Sequence, residues 1–211
     1  MKRFFIKFIS RIISFWSKVY TYSLSQRLKN WSSLLYSMWL SNFLGSVGDN
    51  VSLSRPLFFE GCGSRRIRIG SNSSIGHHTV LGCWEKYLNV IYSPEITIGN
   101  NCSIGEYCHI SAINKIIICD GVLTGRFVYI GDNSHGLLSK EEMLTRPSRR
   151  PLVSKGDVFI GKNVWLGDKV TVLAGVHIGD NAIVGANSVV TKDLPSNCVA
   201  AGVPARVIRE I

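Results

Sequence analysis

The sequence predicts a mainly β protein, wound as a parallel β-helix of hexapeptide repeats. An amphipathic helical region precedes it and a short C-terminal tail follows. Three observations carry that expectation: an apolar residue recurs every six positions, a glycine column stands beside it, and two insertions interrupt the register without altering it. From Ile160 the steps run through Leu166, Val172, Ile178, Val184 and Val190 without a slip. The residues that follow are Gly161, Gly167, Leu173, Gly179, Gly185 and Thr191. Two places before each step stand Val158, Val164, Val170, Val176, Ala182 and Ser188, all small or β-branched. An amphipathic helix would instead repeat at steps of three and four. One hexad cannot bury its apolar edge alone, so three wind into a triangular coil and coils stack through parallel strand ladders. Neighbouring coils then lie about 4.8 Å apart. Glycine is expected at the corners, where it tolerates unusual backbone angles.

The elements follow in chain order. Residues 1–45 form the helical region. Phe5, Phe8, Ile12, Phe15, Val19 and Tyr22 make one stripe, and Lys7, Arg11, Ser14 and Lys18 the opposite one, as an amphipathic helix requires. Two roles stay open for it: a cap on the β-helix or a neighbouring subunit, and a helix lying on an anionic membrane through residues 1–25. The opening MKRFFIKFISRIISFW has the charge and greasiness of a signal peptide, but Lys7 and Arg11 break its apolar run and no small-residue cleavage site follows. The uncharged stretch 30–48 carries too many serines for a membrane span. A cytoplasmic protein is expected, with peripheral contact at the inner face of the membrane left open. Residues 46–198 form the β-helix, whose register begins upstream at Ile69, Ile75 and Leu81. It resumes at Ile98, Ile104 and Ile110, then at Ile118, Thr124 and Ile130. The insertions at 83–94 and 132–157 should project from corners as loops, and long loops in compact repeats commonly carry function. Residues 199–211 are the tail.

With 45% hydrophobic and 18% charged residues, the chain is no disordered segment. Its net charge of +10 favours an acidic partner, and charge alone cannot choose between nucleic acid, anionic lipid and a phosphorylated cofactor. The six cysteines show neither a CxxC pair nor metal-ligand spacing, so reduced thiols and no metal are expected.

The stretches IGKNVWLGDKVTV, GVHIGDNAIVGANSVVTKDLP and AAGVPARVIREI resemble the hexapeptide-repeat acyltransferases, in particular the galactoside, maltose and capsular-polysaccharide O-acetyltransferases. The resemblance runs from about Ile67 to the C terminus. It implies a left-handed coil, a homotrimer with active sites between subunits, acetyl-CoA as co-substrate, a saccharide acceptor and no nucleic acid. DNSHG is similar to the active-site motif of the polysaccharide-modifying branch, which makes His135 the catalytic histidine. By the same resemblance Asp168, Ala186, Thr191, Lys192, Arg206 and Arg209 would contact acetyl-CoA. Asp168 and Ala186 are eighteen residues apart and should stack on one face. The chain departs from the pattern at Cys119 and Leu173, which replace column glycines, and at Asp168, where the galactoside enzymes carry a small hydroxyl residue. No counterpart of their sugar-contacting carboxylate and asparagine stands out.

The chemistry suits these residue types. An alcohol attacks a thioester only as a base takes its proton, and an imidazole with a pKa near ~6.5 is matched to that task. Backbone N–H groups can stabilise the oxyanion that forms. Asp132 and Asn133, just before His135, are candidates for binding the acceptor or orienting the base. Trp165 lies between inward Val164 and Leu166, so its indole should point outward onto a cofactor or subunit surface. Lys192, Arg206 and Arg209 suit CoA phosphates, and Arg146, Arg149 and Arg150 an acidic acceptor. His77, His78, His109 and His177 are assigned to coil faces without chemistry. The expected activity is acetyl transfer from acetyl-CoA to a saccharide hydroxyl in surface-polysaccharide biosynthesis. Amino-sugar N-acetylation and a non-catalytic scaffold are the alternatives.

Overall fold

The computed structural model describes residues 2–137 and 139–211. Met1 of the N-terminal region and Leu138 of the second loop therefore lie outside the described residues. The body is a left-handed parallel β-helix with three faces, of six, eight and six strands among the described residues. On the first face Ile98 pairs with Ile118, Ile118 with Ile160 and Ile160 with Ile178. Leu166 pairs with Val184 on the second face, and Val172 with Val190 on the third. The hexad residues therefore stack in register, coil on coil, and fill the interior with Ile, Val and Leu that are almost wholly buried. Burying each such side chain contributes roughly 1.5–3 kcal/mol.

The glycine expectation needs correcting. Gly161, Gly167, Gly179 and Gly185 do not have positive φ; the left-handed corners of this stretch fall on Asn163, Lys169, Asn181, Asn187 and Asn197, with φ from 54° to 59°, and on Gly175, with φ 77°. Asparagine tolerates that region because its short amide bonds locally. The column glycines answer a different demand, close approach of the next coil. A Cβ on Gly161 would stand 2.7 Å from the backbone nitrogen of Asp180, and one on Gly167 2.7 Å from that of Ala186. Carboxylates complete the stitching between coils: Lys162 N–H donates to Asp180 Oδ1 at 2.7 Å and Arg126 N–H to Asp168 Oδ1 at 2.8 Å.

Two helices precede the coils, α1 (Lys2–Val19) and α2 (Tyr22–Ser41). Thr21 caps α2 by accepting from Leu24 N–H. The C-terminal part of α2 closes the open end of the β-helix: Ser37 and Leu40 are buried. Ser37 Oγ accepts from Leu53 N–H at 2.8 Å, and Tyr36 Oη accepts from Leu57 N–H at 3.2 Å. No residue of α1 is buried. Among the described residues no helix is long and apolar enough to cross a membrane.

At the other end the C-terminal segment stays in the second face. Cys198–Gly202 adds in parallel to Ile183–Val184, and Ala205–Glu210 folds back antiparallel onto it. All six cysteines are free, with Cys83, Cys102, Cys108 and Cys198 buried. Burial, reinforced by the charge of Asp132, pushes the Cys83 thiol up to about 12, so it carries no thiolate at neutral pH.

Candidate active site

Both insertions leave the third face and rejoin the chain on the first, with two coils, Glu95–Ala112 and Lys115–Gly131, between them. The first follows Val80–Cys83 and forms a small hairpin, Lys86–Tyr87 against Val90–Ile91. The second follows Tyr129–Gly131. Its Ser134–His135 segment pairs antiparallel with Leu152–Val153, with His135 opposite Leu152. The hairpin supports the second insertion from below: Tyr92 Oη donates to the Leu152 carbonyl at 2.9 Å and Tyr87 Oη to that of Ser148 at 3.0 Å. Gly136 adopts φ +80°, and a Cβ there would meet Arg150 Cδ at 2.9 Å. The glycine after the histidine is therefore favoured by its backbone angle, with the Arg150 side chain packed close against it.

A cavity of about 490 Å³ opens where the insertions meet the third face, lined by Glu60, Trp84, Tyr87, His109, Ser111, Tyr129, Asn133, Ser134, His135 and Leu152. The His135 ring is exposed and stands edge to face with Tyr87 at 5.4 Å between centroids. Aromatic walls with a few polar groups suit a saccharide ring, whose apolar faces alternate with hydroxyls.

Asp132 and Asn133 part company. Asp132 is 0% exposed and does not line the cavity. Its carboxylate accepts Ile113 N–H at 2.9 Å and Asn114 N–H at 2.8 Å, both from the coil beneath. Burial raises its pKa despite these bonds. Asn133 lines the cavity, its amide donating to the Ser111 carbonyl at 2.9 Å. Together they tie the base of the insertion to the coil. Arg150, expected to face an acidic acceptor, donates instead to the Thr145 carbonyl at 2.9 Å within its own loop.

His109 and Glu60 were not expected here. His109 Nε2 is buried without a hydrogen-bond partner, 3.8 Å from Glu60 Oε2, and the ring packs edge to face on Tyr129. A signal existed in the register: His109 pairs with Tyr129 one coil below DNSHG, and both flank inward isoleucines, which turns their side chains outward.

A second groove, of about 410 Å³, runs over the second face and is lined by Trp165, Gly167, Asp168, Ile183, Val184, Gly185 and Ala186. The structure thus unites three of the residues expected at acetyl-CoA, with Trp165 49% exposed. Asp168 also has a structural task, since its Oδ1 holds Arg126 N–H in the coil below. Arg209 pairs with Val199, which pairs with Ile183, so it sits two strands from the groove wall. Thr191, Lys192 and Arg206 are exposed but do not line the groove. The groove and the His135 cavity share no residue and lie on different faces of the prism. Among the described residues no cluster of three or more His, Cys, Asp or Glu could hold a metal ion.

Fold, repeat and site define a class. The chain belongs to the hexapeptide-repeat acyltransferases and is an acetyltransferase of that family; the bacterial transferase hexapeptide (six repeats) model matches residues 157–192. Among its relatives is the putative lipopolysaccharide biosynthesis O-acetyl transferase WbbJ of Escherichia coli K12. It is 38% identical over 178 residues, covering 81% of this chain and 89% of the relative. A galactoside acetyltransferase in complex with coenzyme A is structurally similar, with TM-score 0.56 and 29% identity over 83% of this chain and 69% of the other. A variant of AntD, an N-acyltransferase from Bacillus cereus in complex with dTDP and coenzyme A, shares the fold. Its TM-score is 0.64 at 23% identity, over 82% of this chain and 88% of the other.

Proposed function

We propose that this chain transfers an acetyl group from acetyl-CoA to a saccharide hydroxyl, with His135 as general base, in the assembly of a surface polysaccharide. The observation that carries the reading is the His135 cavity, in which a solvent-accessible imidazole faces a wall of aromatic and polar groups of a size that admits a sugar. The acceptor hydroxyl gives its proton to the imidazole as its oxygen attacks the thioester carbon. The tetrahedral oxyanion then collapses, the C–S bond breaks, and the imidazolium returns the proton to the CoA thiolate. Glu60, Ser111 and Asn133 offer hydrogen bonds to the remaining hydroxyls. Pantetheine would lie along the Trp165–Ala186 groove, with Asp168 at its side and Thr191, Lys192, Arg206 and Arg209 toward the phosphates. Because base and groove occupy different faces, a complete site forms between two copies, as a homotrimer would provide. WbbJ and the coenzyme A complex of galactoside acetyltransferase support this assignment by similarity. A protein working on the cytoplasmic side, where acetyl-CoA is made, fits the same reading.

Thiol release from acetyl-CoA over a panel of sugars tests it. Wild type should turn over with at least one saccharide and give an alkali-labile ester. His135→Ala should lower kcat by about 10²–10⁴-fold, the range for a lost general base, with the oligomer intact. Full activity in that variant removes His135 from the mechanism. An alkali-stable amide product would instead establish amino-sugar N-acetylation, and no thiol release with any acceptor would favour the scaffold.

A further inference from the structure

α1 is an amphipathic helix none of whose described residues is buried. At 100° per residue, Phe5, Phe8, Ile9, Ile12 and Trp16 share one face, and Arg3, Lys7, Arg11, Ser14 and Lys18 share the other. Phe5, Phe8 and Trp16 are each more than half exposed. The end of the β-helix is already closed by Ser37 and Leu40 of α2, so the core makes no demand on this face. A soluble chain that presents so wide an apolar strip presents an interaction surface.

Charge selects the occupant. α1 carries Lys2, Arg3, Lys7, Arg11 and Lys18 and no acid, and the first acidic residue of the chain is Asp49. Packing α1 on α1 of a second copy would set cations against cations along the rim. An anionic bilayer answers both faces at once: the aromatic and aliphatic side chains sink to the acyl boundary, and the basic side chains reach the phosphates. Trp31 in the first half of α2 is also exposed, and indoles favour that depth. We propose that α1 lies flat on an anionic phospholipid surface and docks the β-helix there. The proposal is independent of the acetyl-transfer reading.

The test uses the full chain in a flotation assay, with vesicles of phosphatidylcholine alone and with phosphatidylglycerol at three parts in ten (~30%), at low and high salt. The chain should float with the anionic vesicles, and high salt should release it. Charge reversal on the polar face, Lys7→Glu with Arg11→Glu, should weaken binding at least about tenfold. Phe8→Ser with Ile12→Ser should abolish it. Since α1 buries nothing in the body, both double variants should keep the wild-type melting temperature, and acetyl transfer to a soluble acceptor should be unchanged. Failure of the folded chain to float with anionic vesicles overturns the proposal. So does flotation indifferent to the charge reversal. If Phe8→Ser with Ile12→Ser instead lowers the mass in sedimentation without vesicle binding in the parent, the face belongs to a second copy.

Discussion

Asp132 illustrates how one residue can serve a site from behind. It opens the DNSHG segment, yet both carboxylate oxygens face inward onto N–H groups of Ile113 and Asn114. Asp132→Ala strands the buried Ile113 N–H and frees the more exposed Asn114 N–H, and should cost about 1–3 kcal/mol, seen as a lowered melting temperature. Its titration adds a pH signature. Burial raises its pKa, so the folded chain holds that proton to higher pH than the unfolded chain does. Stability therefore falls as pH rises from the unfolded value, about 4, through the raised folded value, and is constant above it. Melting curves of wild type and Asp132→Asn should show that slope only in wild type; equal slopes would mean the carboxylate is not desolvated. His109 is the opposite case, a side chain with no motif around it that the coil register nonetheless delivers to the cavity.

At the scale of elements, the insertions act as a pair. His135 sits on a short antiparallel ribbon whose other strand is gripped by Tyr92 of the first insertion. Tyr92 does not line the cavity, so in the proposed mechanism its part would be to position the ribbon that carries His135. Tyr92→Phe removes one hydrogen bond of about 1 kcal/mol and should leave the melting temperature nearly unchanged. Turnover should drop several-fold, because catalysis is sensitive to displacements of the base well under 1 Å. Steady-state kinetics should place the loss in kcat more than in KM; an unchanged kcat would show that the ribbon holds His135 without the tyrosine. The two N-terminal helices divide their labour in a similar way. α2 spends its C-terminal turns closing the core, which leaves α1 free to meet something outside the chain.

Across the whole molecule, the proposed function makes assembly part of the chemistry, because the His135 cavity and the Trp165 groove lie on different faces. A variant lacking the base, His135→Ala, and one with a filled groove, Ala186→Trp, should each be nearly inactive alone. Co-refolded in equal amounts they should regain about a quarter of wild-type activity, since random mixing pairs an intact base with an intact groove at that frequency. No recovery would place base and cofactor within one chain and remove the need for a homotrimer.

The winding of the coils could be read from the sequence because it is local: each hexad specifies its own inward residue, and identical steps stack without reference to distant chain. The outward turn of Trp165 and the stacking of Asp168 with Ala186 follow from the same period. Tertiary structure decided what local pattern does not encode. Only the packed coils show that the column glycines serve close approach while residues outside the column, asparagines foremost, turn the corners. Only the folded insertions bring Tyr92 to Leu152, sixty residues away, and gather Glu60 and His109 around His135. Only the docking of α2 settles which helix caps the core. A period of six constrains backbones one coil apart, whereas a cavity is built from side chains whose meeting depends on how far each insertion projects and where it lands.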